Sequence, residues 1–501
     1  MEIASKQAGY YPLMSIMFIN SFIDLGHKIT LQNAIFKVYD GPLQIALTAI
    51  INGLILLPFI LFYRSSGLVS DKYPKALIIR WASVSALVIS MFILLSYFLG
   101  LFWFSYFLTF ILAIQSAYVG PAKYGLIKEL VNNSSLTSAN ALAQALVTTG
   151  ILLGTFVFTL GFETLYQKAH QESLNGLLYN LTPLGIAIVA MSLFECFFAW
   201  RIPNTNQSME PFIEKKHQQG LKPITNDTLL WPVAIGLTVF WSVGQMLLAT
   251  YPSFAEDVLR IENTIVIQSL MLMLGIGIMA GSFISRFITG NCISLAFVPI
   301  SGLFIILALT LLPVTTHLPT VFILFFMIGF MGGVFIVPLN TVFQFCTPET
   351  ELGNNLAGLN LIKNIGMISC LGLTVASAFF DVPANHLLYI ILFISLAGIG
   401  YLFWRVPYSF SAFKGFKHTL GKKIIVTGFD EVDGAQLNNL RFDNNDSQVK
   451  AILQFIYPRK VEDGYLQGGI NGQKKPSTQE SEMDIDVQIL DKSIHIDFKA
   501  K

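Results

Sequence analysis

Charge is scarce in this sequence: only 12% of its 501 residues are Asp, Glu, Lys or Arg, against roughly 25% in soluble proteins. With 54% hydrophobic residues and 42 phenylalanines, that scarcity excludes a soluble enzyme and a disordered chain. Neither sign of charge dominates. The formal net charge is +1, so no global field attracts polyanions and a nucleic-acid binder is excluded. Cysteine is also sparse: Cys196, Cys292, Cys346 and Cys370 lie far apart in or beside apolar stretches, with no spacing suited to zinc. They read as small buried hydrophobes, and no metal is expected. Enzyme motifs are missing too. Gly415 to Lys422 superficially resembles a phosphate loop, but the glycine spacing is wrong and no Ser or Thr follows the lysine. There is no GxSxG, and no histidine is followed five positions later by aspartate. Neither catalysis nor a cofactor is expected.

What the sequence has instead is long apolar runs. A spanning helix needs about 20 mostly apolar residues, and twelve candidates can be marked at 11–37, 44–63, 77–99, 102–119, 138–160, 182–200, 230–253, 263–286, 293–313, 318–337, 355–380 and 386–404. The longest internal connection, Arg201 to Leu229, falls between the sixth and seventh spans. The expected organisation is an N-terminal six-helix bundle (1–200), a central loop (201–229), a C-terminal six-helix bundle (230–404) and an aqueous tail (405–501). Arg64, Lys72, Lys75, Arg80, Lys123, Lys128, Arg201, Lys215, Lys216, Lys222 and Arg286 all follow even-numbered spans. Lys and Arg are retained on the cytoplasmic side, so both termini are expected there. No cleavable signal peptide is expected, because Asp24, His27 and Lys28 interrupt the first apolar run. The halves echo each other: Pro121 precedes Asn140 and Gly150 much as Pro338 precedes Asn355 and Gly366. In the tail, Lys423 to Phe429 and Ile485 to Phe498 read as strands, Val449 to Ile456 as a short helix and Gly468 to Ser481 as a linker. A small α+β unit and a partly disordered segment are both compatible with this composition.

Charges inside the spans are the most informative residues, since one at the bilayer centre costs about 2.5–3.5 kcal/mol. Span one carries Asn20, Asp24, Lys28 and Gln32 four residues apart, with His27 beside them; this spacing lines one helical face with polar groups. Asp24 and Lys28 could simply pair to hold span one in place. Alternatively Asp24 lines a transport path and binds Na⁺ or H⁺, with Lys28 answering an anionic group. Span eleven holds Lys363, flanked by Asn360 and Asn364, which either snorkels to the interface or meets an anion. Asn140, Gln144 and Thr148 in span five and Gln245 in span seven either line a cavity or bond between helices. Glu195 reads as an interfacial anchor. Between spans two and three, Gly67, Asp71, Lys72, Lys75 and Arg80 suggest a gating connection, in which glycine makes a tight turn and the charges clasp helix ends. Gly277 and Gly281 form GxxxG, a small-residue packing surface.

Several of these segments resemble the bacterial lysophospholipid transporters of the major facilitator superfamily, especially the transporter part of acyltransferase fusions. The likeness rests on Phe22-Ile-Asp24-Leu-Gly-His27-Lys28 with Gln32-Asn33, on Gly67 to Lys75, on Gly120-Pro121-Ala122-Lys123-Tyr124-Gly125, on Ala139-Asn140 with Leu153-Gly154, and on Gly332-Gly333 to Asn340. It covers residues 11–404. The resemblance implies a twelve-helix transporter of the bacterial inner membrane that flips lysophospholipids such as lysophosphatidylethanolamine from the outer to the inner leaflet, with the residue matching Asp24 important for transport. It also implies a functional link to an acyltransferase. Two departures stand out: Leu248 occupies a position in span seven where the stand-alone relatives carry a basic residue, and the tail lacks the acyltransferase His/Asp motif. Two other functions remain compatible with the residues, namely a cation-coupled exporter of a small amphipathic solute and a membrane anchor acting through its tail.

Overall fold

The computed structural model describes residues 2–39, 41–169, 174–204, 220–257, 259–260, 264–289, 292–380, 382–420, 422–429, 440–441, 447–462, 465–466, 483–490 and 493–500. Lys215, Lys216 and the 468–481 stretch lie outside them.

Helices stand at all twelve positions marked in the sequence. In the first half they are α1 (Glu2–Val38), α2 (Gly41–Leu61), α4 (Lys75–Phe98), α5 (Phe102–Leu130), α6 (Asn133–Ala169) and α8 (Thr182–Arg201), with the short α3 (Tyr63–Lys72) and α7 (Leu174–Asn180) between them. The linker contains the single turn α9 (Lys222–Thr225). The second half comprises α10 (Leu230–Asp257), α11 (Thr264–Thr289), α12 (Val298–Leu311), α13 (Leu318–Phe345), α14 (Leu352–Phe379) and α15 (Ala384–Arg405). Among the described residues nine helices are long and apolar enough to cross a membrane, and a tenth span forms if α2 and α3, bent by 55°, count as one. The polar α1 and the short α12 fall outside that group.

Three boundaries correct the sequence reading. The expected turn at Gly67 is helical: this residue sits in α3, where a Cβ would lie 2.8 Å from the Asn354 Cα, so glycine serves close helix packing. The chain reverses later, at Tyr73-Pro74. The Pro121-Ala-Lys-Tyr-Gly segment, expected as a connection, continues α5 through Leu130. A proline inside a helix removes only one backbone bond, and neighbouring helices compensate for it in a membrane. Span ten likewise runs through Pro338 to Phe345. A real turn occurs at Gly100, whose φ of 65° suits glycine; its N–H donates to the Tyr97 carbonyl and the Leu101 N–H to that of Ser96, a Schellman ending of α4.

Small residues decide how closely the helices approach. A Cβ on Gly281 would meet the Phe330 carbonyl oxygen at 1.9 Å, and one on Gly329 the Leu274 oxygen at 2.0 Å, so α11 and α13 touch backbone to backbone. Gly281→Leu is therefore expected to overpack this contact by about 1–3 kcal/mol or more. In detergent it should lower the thermal midpoint and the monodisperse yield; an unchanged midpoint would contradict the assignment. The echo between halves has a structural counterpart. Gly150 lets α6 approach α1 at the Phe18 carbonyl, and Gly366 lets α14 approach α10 at Thr238 and Ser242.

After Arg405 come α16 (Tyr408–Thr419), β1 (Lys423–Thr427), β2 (Leu440–Arg441), α17 (Ser447–Ile456), β3 (Val461–Glu462), β4 (Tyr465–Leu466), β5 (Met483–Ile489) and β6 (Ser493–Ala500). The strands form one sheet in the order β1-β6-β5-β2-β4-β3, with β1 parallel to β6 and β6 antiparallel to β5. The single strand expected over 485–498 is thus a hairpin. Its apolar alternation changes phase between Ile489 and Ile494, which marks the reversal. Ile485, Ile494, Ile496 and Phe498 join Val449, Ile452 and Phe455 of α17 in a core continuous with that of the bundle.

Candidate functional site

Asn20, Asp24 and Lys28 rise along α1 in steps of ~6 Å, and α5 and α8 place further polar groups beside them. The Asp24 Oδ2 accepts a 2.8 Å hydrogen bond from the Ser116 hydroxyl of α5, while its Oδ1 is buried without a partner among the described residues. Lys123, about two helical turns beyond Ser116 on α5, donates to Asn20 Oδ1 and lies within electrostatic reach of both Glu195 and Asp24. Lys123 is therefore no loop residue. Glu195 is 2% exposed, with Oε2 unpartnered among the described residues, so it is not the interfacial anchor expected of it. Two carboxylates and one ammonium are thus enclosed in the first half.

Asp24 and Lys28 do not form the ion pair that the sequence permits: Lys28 has none among the described residues. Lys363 of α14, also half-buried, has none either. Gln32 and Gln245 are half-buried, with Gln245 on α10 next to the buried Val243 and Met246. His27 has a different setting. It is fully buried, and its ring nitrogens meet the Tyr97 hydroxyl at 3.1 Å and the Thr109 hydroxyl at 3.2 Å, tethering α1 to α4 and α5. Asn140 and Gln344 exchange two hydrogen bonds of 3.0 and 2.8 Å across the halves, and Gln144 donates to Thr148. These buried amides spend their groups on helix contacts.

The residues expected to form a gating connection cluster at the end where the linker joins the halves. Asp71 spans them: its two carboxylate oxygens accept from the backbone N–H groups of Gly353 at 2.6 Å and Asn354 at 2.8 Å, at the start of α14. A carboxylate at a helix N-terminus meets both unsatisfied donors and the positive end of the dipole. Lys75 is buried and pairs with Glu129 of α5, and Arg80 bonds the Ile202 carbonyl and covers the Trp200 ring. Both act within the first half, and Lys72 is exposed. Lys128 adds a second bridge, donating to the Thr347 carbonyl at 2.8 Å. Pro121 is buried in α5, next to Gly120, which faces Asn360 of α14; Tyr124 is half-buried. The halves are therefore fastened at the linker end. Asp71→Ala is expected to cost the cap about 1–2 kcal/mol and shift the population toward opening there by roughly 5- to 30-fold. Distances between spin labels at Lys72→Cys and Thr350→Cys would lengthen, and an unaltered distance distribution would refute the clasp.

Sequence reasoning missed Ser116, Gln344 and the burial of Lys123 and Glu195. Pro121 and Gly125 imitate a turn, and only the apolar Leu126-Ile127 after them signals that the helix goes on. For Glu195 the available signal was its flanks, Phe194 and Phe197.

Two helical halves around a partly polar interior, closed at one end by a capped helix, are the architecture of a membrane transporter. The model of the Major Facilitator Superfamily matches residues 13–369, and the chain belongs to that superfamily. It is 28% identical over 384 residues to the lysophospholipid transporter LplT of Photorhabdus laumondii, covering 71% of this chain and 89% of that protein. With LplT of Yersinia pestis it is 26% identical over 271 residues, covering 52% of this chain and 63% of the relative. Among solved structures it is similar in fold to the transporter FucP in the outward conformation (TM-score 0.60, 14% identity, 80% of this chain and 99% of that one). The proton:xylose symporter XylE is similar as well (TM-score 0.60, 10% identity, 81% and 95%).

Proposed function

We propose that this protein moves lysophospholipids, such as lysophosphatidylethanolamine, across the bacterial inner membrane by alternating access, its two halves rocking about a site near the bilayer midplane. The observation that carries this reading is the polar column on α1, whose Asp24 keeps one buried carboxylate oxygen unbonded among the described residues. A buried polar atom without a partner costs about 1–3 kcal/mol, and a site that binds a cationic group or ion recovers that cost. Asp24 receives the substrate amine, Na⁺ or H⁺. Lys28 and Lys363, one from each half and both without ion pairs among the described residues, receive the phosphate. The acyl chain stays in apolar surroundings, since each buried methylene contributes about 0.8 kcal/mol. The names and coverage of the curated relatives support the substrate class. The basic residues of the linker-side connections support cytoplasmic termini, where an acyltransferase would consume the flipped lipid.

Uptake of labelled lysophosphatidylethanolamine into vesicles lacking their own lysolipid transporter tests the reading. Uptake is expected with the intact chain, and Lys28→Gln and Lys363→Gln should each weaken apparent lysolipid affinity about tenfold, as loss of a charge-assisted bond would. Unchanged affinity would remove the two lysines from the site. Transport of a competing amphipathic solute without lysolipid uptake would favour a cation-coupled exporter, which would use the same Asp24.

A further inference from the structure

The stretch from Arg405 to Phe429 contains Arg405, Lys414, Lys417, Lys422 and Lys423 and no acidic residue. Within it, α16 follows the last residue of α15 after only Val406 and Pro407. Its inner face is occupied: Ser409, Ala412, Gly415 and Thr419 are buried, and Gly415 lies against the Ala451 carbonyl of α17. Phe413 and Phe416 meet the Phe297 ring at 6.0 and 4.8 Å, immediately before the start of α12. These contacts place α16 where α12 and α15 leave the apolar layer. Its outer face is different. Pro407, Phe410, Ser411, Lys414, Lys417 and His418 recur at three- and four-residue intervals and are all exposed. Trp404, 73% exposed with Arg405 over its ring, and Leu420, 61% exposed, extend that face at either end.

We infer that the outer face of α16 is a docking surface for anionic phospholipid headgroups of the linker-side leaflet. Aromatic and apolar side chains at the bilayer edge, interleaved with lysines, suit a helix lying in the interface with its apolar groups inserted and its cations on the phosphates. A soluble acidic partner would leave Trp404, Phe410 and Leu420 in contact with water, whereas a bilayer surface takes up both halves of the pattern. Juxtamembrane basic residues add about 1 kcal/mol each toward an anionic leaflet, or about fivefold in local lipid enrichment per lysine. The surface is separate from the transport path and does not depend on which substrate is carried.

The test uses the full chain in lipid nanodiscs, with Cys196→Ala and an environment-sensitive fluorophore on Ser411→Cys, beside brominated phosphatidylglycerol or brominated phosphatidylcholine. Brominated phosphatidylglycerol is expected to quench at much lower mole fraction, a preference that raised salt weakens. Lys414→Gln together with Lys417→Gln should reduce the preference about 25-fold while leaving the thermal midpoint unchanged, because both side chains are exposed. Equal quenching by the two lipids, quenching by neither, or a preference that survives the double substitution would overturn the inference.

Discussion

Asp24→Asn is expected to lower lysolipid uptake about 10- to 100-fold at equal membrane expression. Asparagine has nearly the shape of aspartate and retains an oxygen for the 2.8 Å bond from Ser116, so α1 should stay packed against α5. What it loses is the charge, together with a carboxylate oxygen that no group among the described residues bonds. Hydrogen bonds to a charged group contribute about 1.5–3 kcal/mol, and about 1.4–2.8 kcal/mol of that corresponds to a 10- to 100-fold loss. Removing the negative charge also leaves Lys123 with Glu195 as the charged partner within reach. Asp24→Glu keeps the charge one methylene further out and should recover part of the activity. Initial rates of labelled lysophosphatidylethanolamine uptake into reconstituted vesicles, for wild type and both variants, measure this. Full activity in Asp24→Asn would remove the carboxylate from the transport path.

Arg459→Ala is expected to destabilise the protein by about 3–5 kcal/mol. Arg459, between α17 and β3, donates from Nη2 to the Asp227 Oδ2 at 3.0 Å, and the side chains are 5% and 1% exposed. Asp227 also caps α10, accepting from the Leu229 and Leu230 N–H groups at 2.8 and 2.9 Å. Without the guanidinium, a buried carboxylate would keep its capping bonds but lose its counter-charge, and such a vacancy costs far more than the pair contributes. Phe345 at the end of α13 stacks on Phe429 at 5.7 Å and meets Tyr457 at 6.2 Å, so loosening Arg459 uncovers aromatic surface as well. Arg459→Ala should lower the thermal midpoint and expose the region after residue 405 to protease. Arg459→Met combined with Asp227→Asn removes both charges and should restore most of the loss. A single variant as stable as wild type would show that the pair does not anchor this region. Cutting the chain near residue 410 would strip Phe297 and Phe345 of their aromatic cover, so loss of function after such a truncation would not by itself show a membrane anchor acting through its tail.

How much was legible follows from what each residue touches. The polar stripe of α1 could be read directly, because four-residue spacing of Asn20, Asp24, Lys28 and Gln32 in an apolar run has one geometric meaning. The small-residue contact at Gly277 and Gly281 was legible for the same reason. Asp71 was expected in a gating connection because of its neighbours, yet its partners are backbone N–H groups 282 and 283 positions away, which no local pattern encodes. Pro121 suggested a break because proline usually ends helices in water; inside a bundle the surrounding helices absorb the missing bond, and Lys123 is carried into the interior.

Composition and periodicity by themselves determined that this is a helical membrane protein with a polar face on its first helix, since the cost of placing charge in hydrocarbon leaves few other arrangements. Only the tertiary structure decided which charges meet. Lys123 bonds Asn20 rather than facing water, Lys28 stays free of Asp24, and Arg459 finds Asp227 across 232 positions. Pairings of this kind depend on how helices approach, and that approach is set by side-chain volume and backbone contact between segments distant in the chain, as Gly281 against Phe330 illustrates.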